Sequence, residues 1–202
     1  MAYELIAFDI DGTMLRTGSK DDLPTPIRFL ISGDTDEARK VVQERGRMIE
    51  PIGDLHDFLG SLRMKKGIIS NGSHDRQINK LVLSKLDRFF DYEHVLVSGK
   101  VASDMYRSIK GQDFPGRNTE RLYNKSVEKP NPYMLSMLNK LTGTSPDRSV
   151  YVGNTDTDFL AADAVGWEFI RVLDPNMENK EQAKHEVQQG DWASIEEILR
   201  NS

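Results

Sequence analysis

Apolar residues along the chain fall into two alternating rhythms. Short runs read as strands buried on both faces: Leu5-Ile6-Ala7-Phe8, Gly67-Ile68-Ile69, His94-Val95-Leu96-Val97, Ser149-Val150-Tyr151-Val152 and Phe169-Ile170-Arg171-Val172. Between them the spacing changes to that of amphipathic helices. Ile52, Leu55, Phe58, Leu59 and Leu62 mark one such helix, which Pro51 is suited to open because a first turn does not need its N–H. Others are expected from about Asp75 to Leu86, through Met134, Leu135, Leu138 and Leu141, through Ala161, Ala162 and Ala164 as far as Gly166, and from Ser194 to Leu199. Strands alternating with helices predict an α/β fold, doubly wound, with a mainly parallel five-stranded sheet and helices on both faces.

Two segments break the alternation. In residues 14–50 the pattern lapses around Pro24 and Pro26, then turns helical from about Asp36 to Arg47, with Ala38, Val41 and Val42 on one face. This segment is too polar for a core layer and is expected to be a small cap inserted into a core made of 1–13 and 51–202. Residues 100–128 are expected to form an extra loop or helical insertion. Their basic residues (Lys100, Arg107, Lys110, Arg117, Arg121, Lys125) exceed the acidic ones (Asp104, Asp113, Glu120, Glu128), and Tyr106, Phe114 and Tyr123 are interleaved. Such a mixture can bind nucleic acid, but an excess of two charges is small, and an ordinary surface loop is the favoured expectation.

Composition narrows the chemistry. A chain of 202 residues can bury one substantial core. The net charge of −5 gives no electrostatic reason to expect nucleic acid or a membrane as partner. With no cysteine there is no disulfide, thiolate nucleophile or zinc-thiolate site, which fits a reducing compartment. The first apolar run has no basic segment before it and stops at Asp9, so it is neither a signal peptide nor a membrane span, and a cytoplasmic location is expected.

Candidate chemistry gathers at strand ends. Asp9 and Asp11 follow the first strand at i and i+2, ahead of Gly12 and Thr13. On extended chain both carboxylates point the same way, and two such charges repel unless a cation or a shared proton holds them; a solvated turn is the plain alternative. Ser70-Asn71-Gly72-Ser73 ends the second strand ahead of a helix, where backbone N–H groups and a hydroxyl suit an anion, or where serine and asparagine simply cap. Lys129 precedes the helix started by Pro130 and Pro132, a place where lysines are often merely solvated. Gly153-Asn154-Thr155-Asp156-Thr157-Asp158 ends the fourth strand with acceptors that could complete a divalent-metal site or cap a helix. In an open sheet such strand ends share one edge, the usual ligand-binding crevice.

These four stretches, in this order, resemble the haloacid dehalogenase (HAD) superfamily of phosphohydrolases. Asp9-Ile10-Asp11-Gly12-Thr13 resembles its D-x-D-G-T element and Ser70 its second-strand Ser/Thr. Lys129-Pro130-Asn131-Pro132 resembles K-P-x-P, and Gly153 to Asp158 resembles G-D-[ST]-x-x-D. The resemblance covers Tyr3–Thr13 and about Pro51–Leu199.

The resemblance implies a Mg²⁺-dependent phosphomonoester hydrolase acting on a small phosphorylated metabolite. Asp9 would be the nucleophile, Asp11 the acid and base, Ser70 a phosphoryl-oxygen donor and Lys129 the neutralising charge. The implied phosphate-binding set is Asp9, Gly12, Thr13, Ser70, Asn71, Gly72 and Lys129, and the implied metal set is Asp9, Asp11 through its carbonyl, Asn154 and Asp158. Dehalogenation is disfavoured by the presence of Asp11. Position 154 departs from the family, which has aspartate there; the amide keeps an oxygen but loses a charge, so weaker Mg²⁺ binding is expected unless Asp156 compensates. Arg16 and Lys20 lie just past the nucleophile loop, where they could touch a substrate, although a solvated surface role is the favoured expectation for each. The short cap leaves the site open to a bulky phosphorylated substrate or to closure by the second subunit of a homodimer. Alternative readings are a phosphatase of nucleic-acid ends or phosphoproteins, and a binding or regulatory protein that has kept the fold and lost turnover.

Overall fold

The computed structural model describes residues 2–17, 49–175 and 178–201. Its centre is β1 (Leu5–Phe8), whose four residues are all buried. Further strands are β2 (Leu15–Thr17), β3 (Ile49–Pro51), β4 (Lys65–Ser70), β5 (Val95–Val97), β6 (Ser149–Gly153), β7 (Glu168–Leu173) and β8 (His185–Gln188). Helices are α1 (Leu55–Ser61), α2 (His74–Leu83), α3 (Ser98–Lys110), α4 (Arg117–Val127), α5 (Tyr133–Thr142), α6 (Asp156–Asp163) and α7 (Trp192–Asn201).

The main sheet has six strands in the order β5-β4-β1-β6-β7-β8, and every neighbouring pair is parallel. A sheet that needs helical crossovers is covered on both faces, and β1 shows this residue by residue. Ile6 and Phe8 join a core with α1, α7 and Leu81 of α2. Leu5 and Ala7 join the opposite core with Val101 and Ala102 of α3, Val127 of α4, and the apolar faces of α5 and α6.

The sequence predicts the parallel α/β architecture correctly, with one strand too few. The missed strand, β8, reads His-Glu-Val-Gln and buries only Val187. An edge strand needs one apolar contact rather than a run of them, so periodicity does not reveal it. The expected start of the first core helix is also corrected. Pro51 ends β3, opposite Leu15 in a two-stranded antiparallel ribbon, and α1 begins at Leu55. Proline is tolerated at the end of such a ribbon because no ladder bond is required of it.

Residues 18–48, with the expected Asp36–Arg47 helix and Lys20, lie outside the described residues; the β2–β3 ribbon is where the core meets them. The stretch 100–128 belongs to the helix pair α3 and α4. Tyr106, Phe114 and Tyr123 pack there on one another, with ring centroids 4.7 and 4.9 Å from Tyr106.

Among the described residues no helix is long and apolar enough to cross a membrane.

Candidate active site

From β1 the chain moves to β4 and β5 on one side of the sheet, then to β6, β7 and β8 on the other. The crevice at such a reversal, beyond the carboxyl ends of the strands, is where open α/β sheets place ligands. Asp9 stands there, its N–H donating to the Val152 carbonyl at 2.9 Å and so extending the β1–β6 pairing by one residue. The loop beyond is closed on itself. Met14 and Leu15 N–H groups both donate to the Ile10 carbonyl, and the Gly12 N–H donates to the Leu15 carbonyl at 3.0 Å. Gly12 has φ +76°, and a Cβ there would lie 2.2 Å from the Asn154 amide nitrogen, so conformation and contact both require glycine.

The centre of the crevice is the Lys129 ammonium. It donates to Asp9 Oδ1 at 2.7 Å, Asp158 Oδ1 at 2.6 Å, the Tyr151 hydroxyl at 2.8 Å and the Ile69 carbonyl at 3.1 Å. Lys129 sits in the turn between α4 and α5, where its peptide bond to Pro130 is cis. The Asn71 side chain holds its backbone by accepting from the Lys129 N–H and donating to the Lys129 carbonyl.

Asp158 is fully buried at the third position of α6, and both its oxygens are engaged. Oδ1 faces Lys129 and Tyr151; Oδ2 accepts from the Asn154 and Thr155 N–H groups and, at 2.7 Å, from the Thr155 hydroxyl. Thr155 and Asp158 thus form a capping box. A Cβ on Gly153 would come within 2.6 Å of the Asp158 Cβ, which accounts for the glycine ahead of the motif.

Two buried carboxylates therefore share one ammonium. Burial pushes the Asp9 carboxyl up to about 7; Lys129 opposes this and Asp158 adds to it. Burial acts on Asp158 in the same sense, but Lys129 and the Thr155 bonds outweigh it and hold that carboxyl below its usual range. Burial lowers Lys129, and the facing Asp158 and Asp9 more than offset it, leaving the ammonium above its ordinary value. The Tyr151 hydroxyl is pushed well up by burial and then by both carboxylates.

Asp11 is drawn to α2. Lys80 Nζ donates to both of its carboxylate oxygens, at 2.6 and 2.7 Å, and Gln77 Nε2 to one of them at 3.2 Å. Gln77 Nε2 also reaches the Asn71 carbonyl at 3.0 Å, so the Asp11 loop and the end of β4 are tied together. Ser70 is buried at the end of β4. The Gly72 N–H donates to Ser98 Oγ at 2.9 Å. The Thr13 hydroxyl donates to Asn154 Oδ1 at 3.2 Å. Asp156 accepts from the Lys180 N–H at 2.8 Å, from Arg171 at 3.0 Å and from the Glu181 N–H, and these contacts, the Lys180 N–H foremost, hold its carboxyl below the usual range. Arg16 is exposed on β2.

The fold thus brings Asp9, Lys129, Asp158 and Asn71 into one connected cluster, joins Asn154 to Thr13 and turns Asp156 elsewhere. Sequence reading misses Tyr151, Gln77 and Lys80. The first looks like an ordinary strand residue, but Gln77 and Lys80 are three apart on one helix face, a spacing that could have flagged them.

A divalent ion suits this chemistry in one respect and finds a thin ligand set in another. The buried cluster carries more carboxylate than ammonium, and a cation would balance that excess and offset the burial that pushes Asp9 up. Yet no group of three or more His, Cys, Asp or Glu side chains is placed to hold an ion among the described residues. Asp9, the Asp11 carbonyl and the Asn154 amide oxygen are all hard oxygen donors. Mg²⁺ accepts such a set, because it takes one or two carboxylates and keeps several waters.

Residues 127–198 match a family model described as HAD-hydrolase-like. No curated protein matches by sequence. Among solved structures, a conserved haloacid dehalogenase-like protein of unknown function from Agrobacterium tumefaciens str. C58 is 17% identical, with a TM-score of 0.64 over 98% of this chain and 99% of that one. A HAD family hydrolase from Deinococcus radiodurans R1, solved with bound phosphate and sodium, is 15% identical, with a TM-score of 0.62 over 99% and 96%. A dehalogenase solved as an intermediate complex is 14% identical, with a TM-score of 0.62 over 98% and 97%. At these identities the likeness is one of fold: the chain has the fold of the haloacid dehalogenase superfamily, and its carboxyl-terminal part carries the pattern of HAD-like hydrolases.

Proposed function

We propose that the protein is a Mg²⁺-dependent phosphomonoester hydrolase that works through an aspartyl-phosphate on Asp9, with a small phosphorylated metabolite as substrate. The observation that carries this reading is the Lys129 ammonium shared between Asp9 and Asp158, with Asp11 two residues beyond Asp9. Asp11 distinguishes it from dehalogenation, which the fold also hosts. An Asp9 oxygen attacks phosphorus in line, the bond to the leaving oxygen breaks, and Asp11 as acid gives that oxygen its proton. Lys129 keeps Asp9 in place and balances charge on the phosphoryl group, and Ser70 supplies a hydroxyl at the adjoining strand end. Water then attacks phosphorus, Asp11 takes its proton, and the bond to Asp9 breaks. Asp9, the Asp11 carbonyl and Asn154 would hold Mg²⁺, which when bound neutralises phosphoryl oxygens; positioning and charge neutralisation supply most of the catalysis in phosphoryl transfer. Asp158, with both oxygens engaged, orients Lys129 instead of contributing a ligand.

A second reading, a phosphate-ester binding protein with little turnover, is favoured by Asn154 alone. The nucleic-acid reading loses its aromatic support, because Tyr106, Phe114 and Tyr123 pack on one another. The deciding experiment is 4-nitrophenyl phosphate hydrolysis by wild type with Mg²⁺, by wild type with EDTA, and by Asp9→Asn. Turnover that needs the metal and disappears in Asp9→Asn supports the hydrolase. Phosphate-ester binding without turnover in any arm supports the second reading.

A further inference from the structure

Asn154 leaves the cation site short of a charge, and Asp156 does not make up for it. The Asp156 oxygens are taken by the Lys180 N–H, by the buried Arg171 guanidinium and by the Glu181 N–H, so that its charge is balanced there. A different carboxylate stands closer. Strand β7 lies beside β6 with Arg171 opposite Gly153, and the residue that follows β7 is the half-buried Asp174. The ends of these two neighbouring strands thus carry Asn154 and Asp174, and both reach the nucleophile loop. A Cβ placed on Gly12 would lie 2.2 Å from the Asn154 amide nitrogen and 3.1 Å from Asp174 Oδ2. The Asn154 oxygen is turned the other way, to the Thr13 hydroxyl at 3.2 Å. Gln189, beyond β8, fixes the loop against them by donating to the Gly12 carbonyl at 2.8 Å.

With an amide at 154, Asp9 would be the only anion among the direct donors to a divalent ion. We infer that Asp174 belongs to the cation site and supplies, from the end of β7, the negative charge that Asn154 omits at the end of β6. This inference rests on the Mg²⁺ part of the hydrolase reading and extends its set of residues. Asp174 lies toward the nitrogen side of the Asn154 amide and is not a third direct carboxylate ligand; no group of three such side chains is placed to hold an ion among the described residues. It acts from the next layer out, on the charge of the ion and on the water that Mg²⁺ keeps when bound. The pairing also gives the amide a physical reason. Carboxylates at both 154 and 174 would crowd one another over Gly12 and repel whenever the cation is absent, and asparagine avoids that while still offering an oxygen.

The test is Mn²⁺ binding without substrate, read from the electron paramagnetic resonance signal of the free ion. It compares wild type, Asp174→Asn, Asp156→Asn and the exchange variant Asn154→Asp/Asp174→Asn. Asp174→Asn should weaken binding by roughly 10–100-fold, the scale of partners beyond the direct ligands. Asp156→Asn, which removes a carboxylate already balanced by Arg171, should leave it nearly unchanged. The exchange variant moves the charge from β7 to β6 and should bind close to wild type. An affinity of Asp174→Asn within about threefold of wild type overturns the inference and leaves the hydrolase reading intact. An equal loss in Asp156→Asn also overturns it, since the effect is then one of general surface charge. An exchange variant as weak as Asp174→Asn overturns it too, because Asp174 then serves the fold and not the ion. Wild type that binds no Mn²⁺ overturns the inference together with the metal dependence of the hydrolase reading.

Discussion

Asn71 and Lys129, fifty-eight residues apart, grip each other through two reciprocal hydrogen bonds: the Lys129 N–H to Asn71 Oδ1 at 2.9 Å and Asn71 Nδ2 to the Lys129 carbonyl at 3.2 Å. A side-chain amide thus does for the turn after α4 what a strand neighbour does for a strand. Asn71→Ala removes both bonds and should cost about 1–3 kcal/mol of stability. Urea unfolding measures it, and a loss below about 0.5 kcal/mol would mean that the turn holds itself.

The buried pair beneath it should be far less forgiving. Asp158→Asn takes a charge from Lys129 in a dry environment and weakens the α6 cap. Removing one partner of such a pair typically costs about 3–5 kcal/mol. Thermal unfolding of this variant beside Asn71→Ala should rank the two clearly, with Asp158→Asn the more destabilised.

Position 154 should respond in the opposite direction. Asn154→Asp adds a carboxylate beside Gly12 and Thr13, and Mg²⁺ binding should tighten by roughly tenfold, about 1.4 kcal/mol. Calorimetric titration reads this without any substrate. An unchanged affinity would place the ion away from residue 154.

The raised Asp9 carboxyl makes stability depend on pH in a defined window. Its folded value of about 7 lies above its ordinary 3.8, so between these two the folded protein holds a proton that the unfolded chain releases. The metal-free protein should therefore lose stability as pH rises from about 4 to 7 and lose nothing further from this group above that. Asp9→Asn should flatten this part of the profile. At pH 6, Mg²⁺ binding should release a proton from wild type and none from Asp9→Asn, as read by titration in buffers of different ionisation enthalpy.

Much of the fold and part of the site can be read directly from the chain, and particular residues show why the rest cannot. Leu5–Phe8 is legible because a central strand must be apolar on both faces; His185–Gln188 is not, because an edge strand needs only Val187. Pro51 misleads because proline suits the end of a ribbon as well as the first turn of a helix, and local sequence does not distinguish them. Asp9, Lys129 and Asp158 stand out at strand and helix ends with their neighbouring turn formers. Tyr151 and Lys80 do not, because only three-dimensional packing shows that a tyrosine on β6 reaches the Ile69 carbonyl, or that a helical lysine is buried under Asp11.

The Lys129 ammonium has a consequence for how the protein is assembled. Its partners come from the end of β1, from β4, from β6 and from the first turn of α6. A slip of one residue in any of these strands would reverse its faces and leave a charge in the dry interior without its complement. The same nitrogen that would face a phosphoryl group is therefore an inspector of strand alignment: a chain that has joined its strands in the wrong order or register has nowhere to put it, and a chain that has joined them correctly has already built its site.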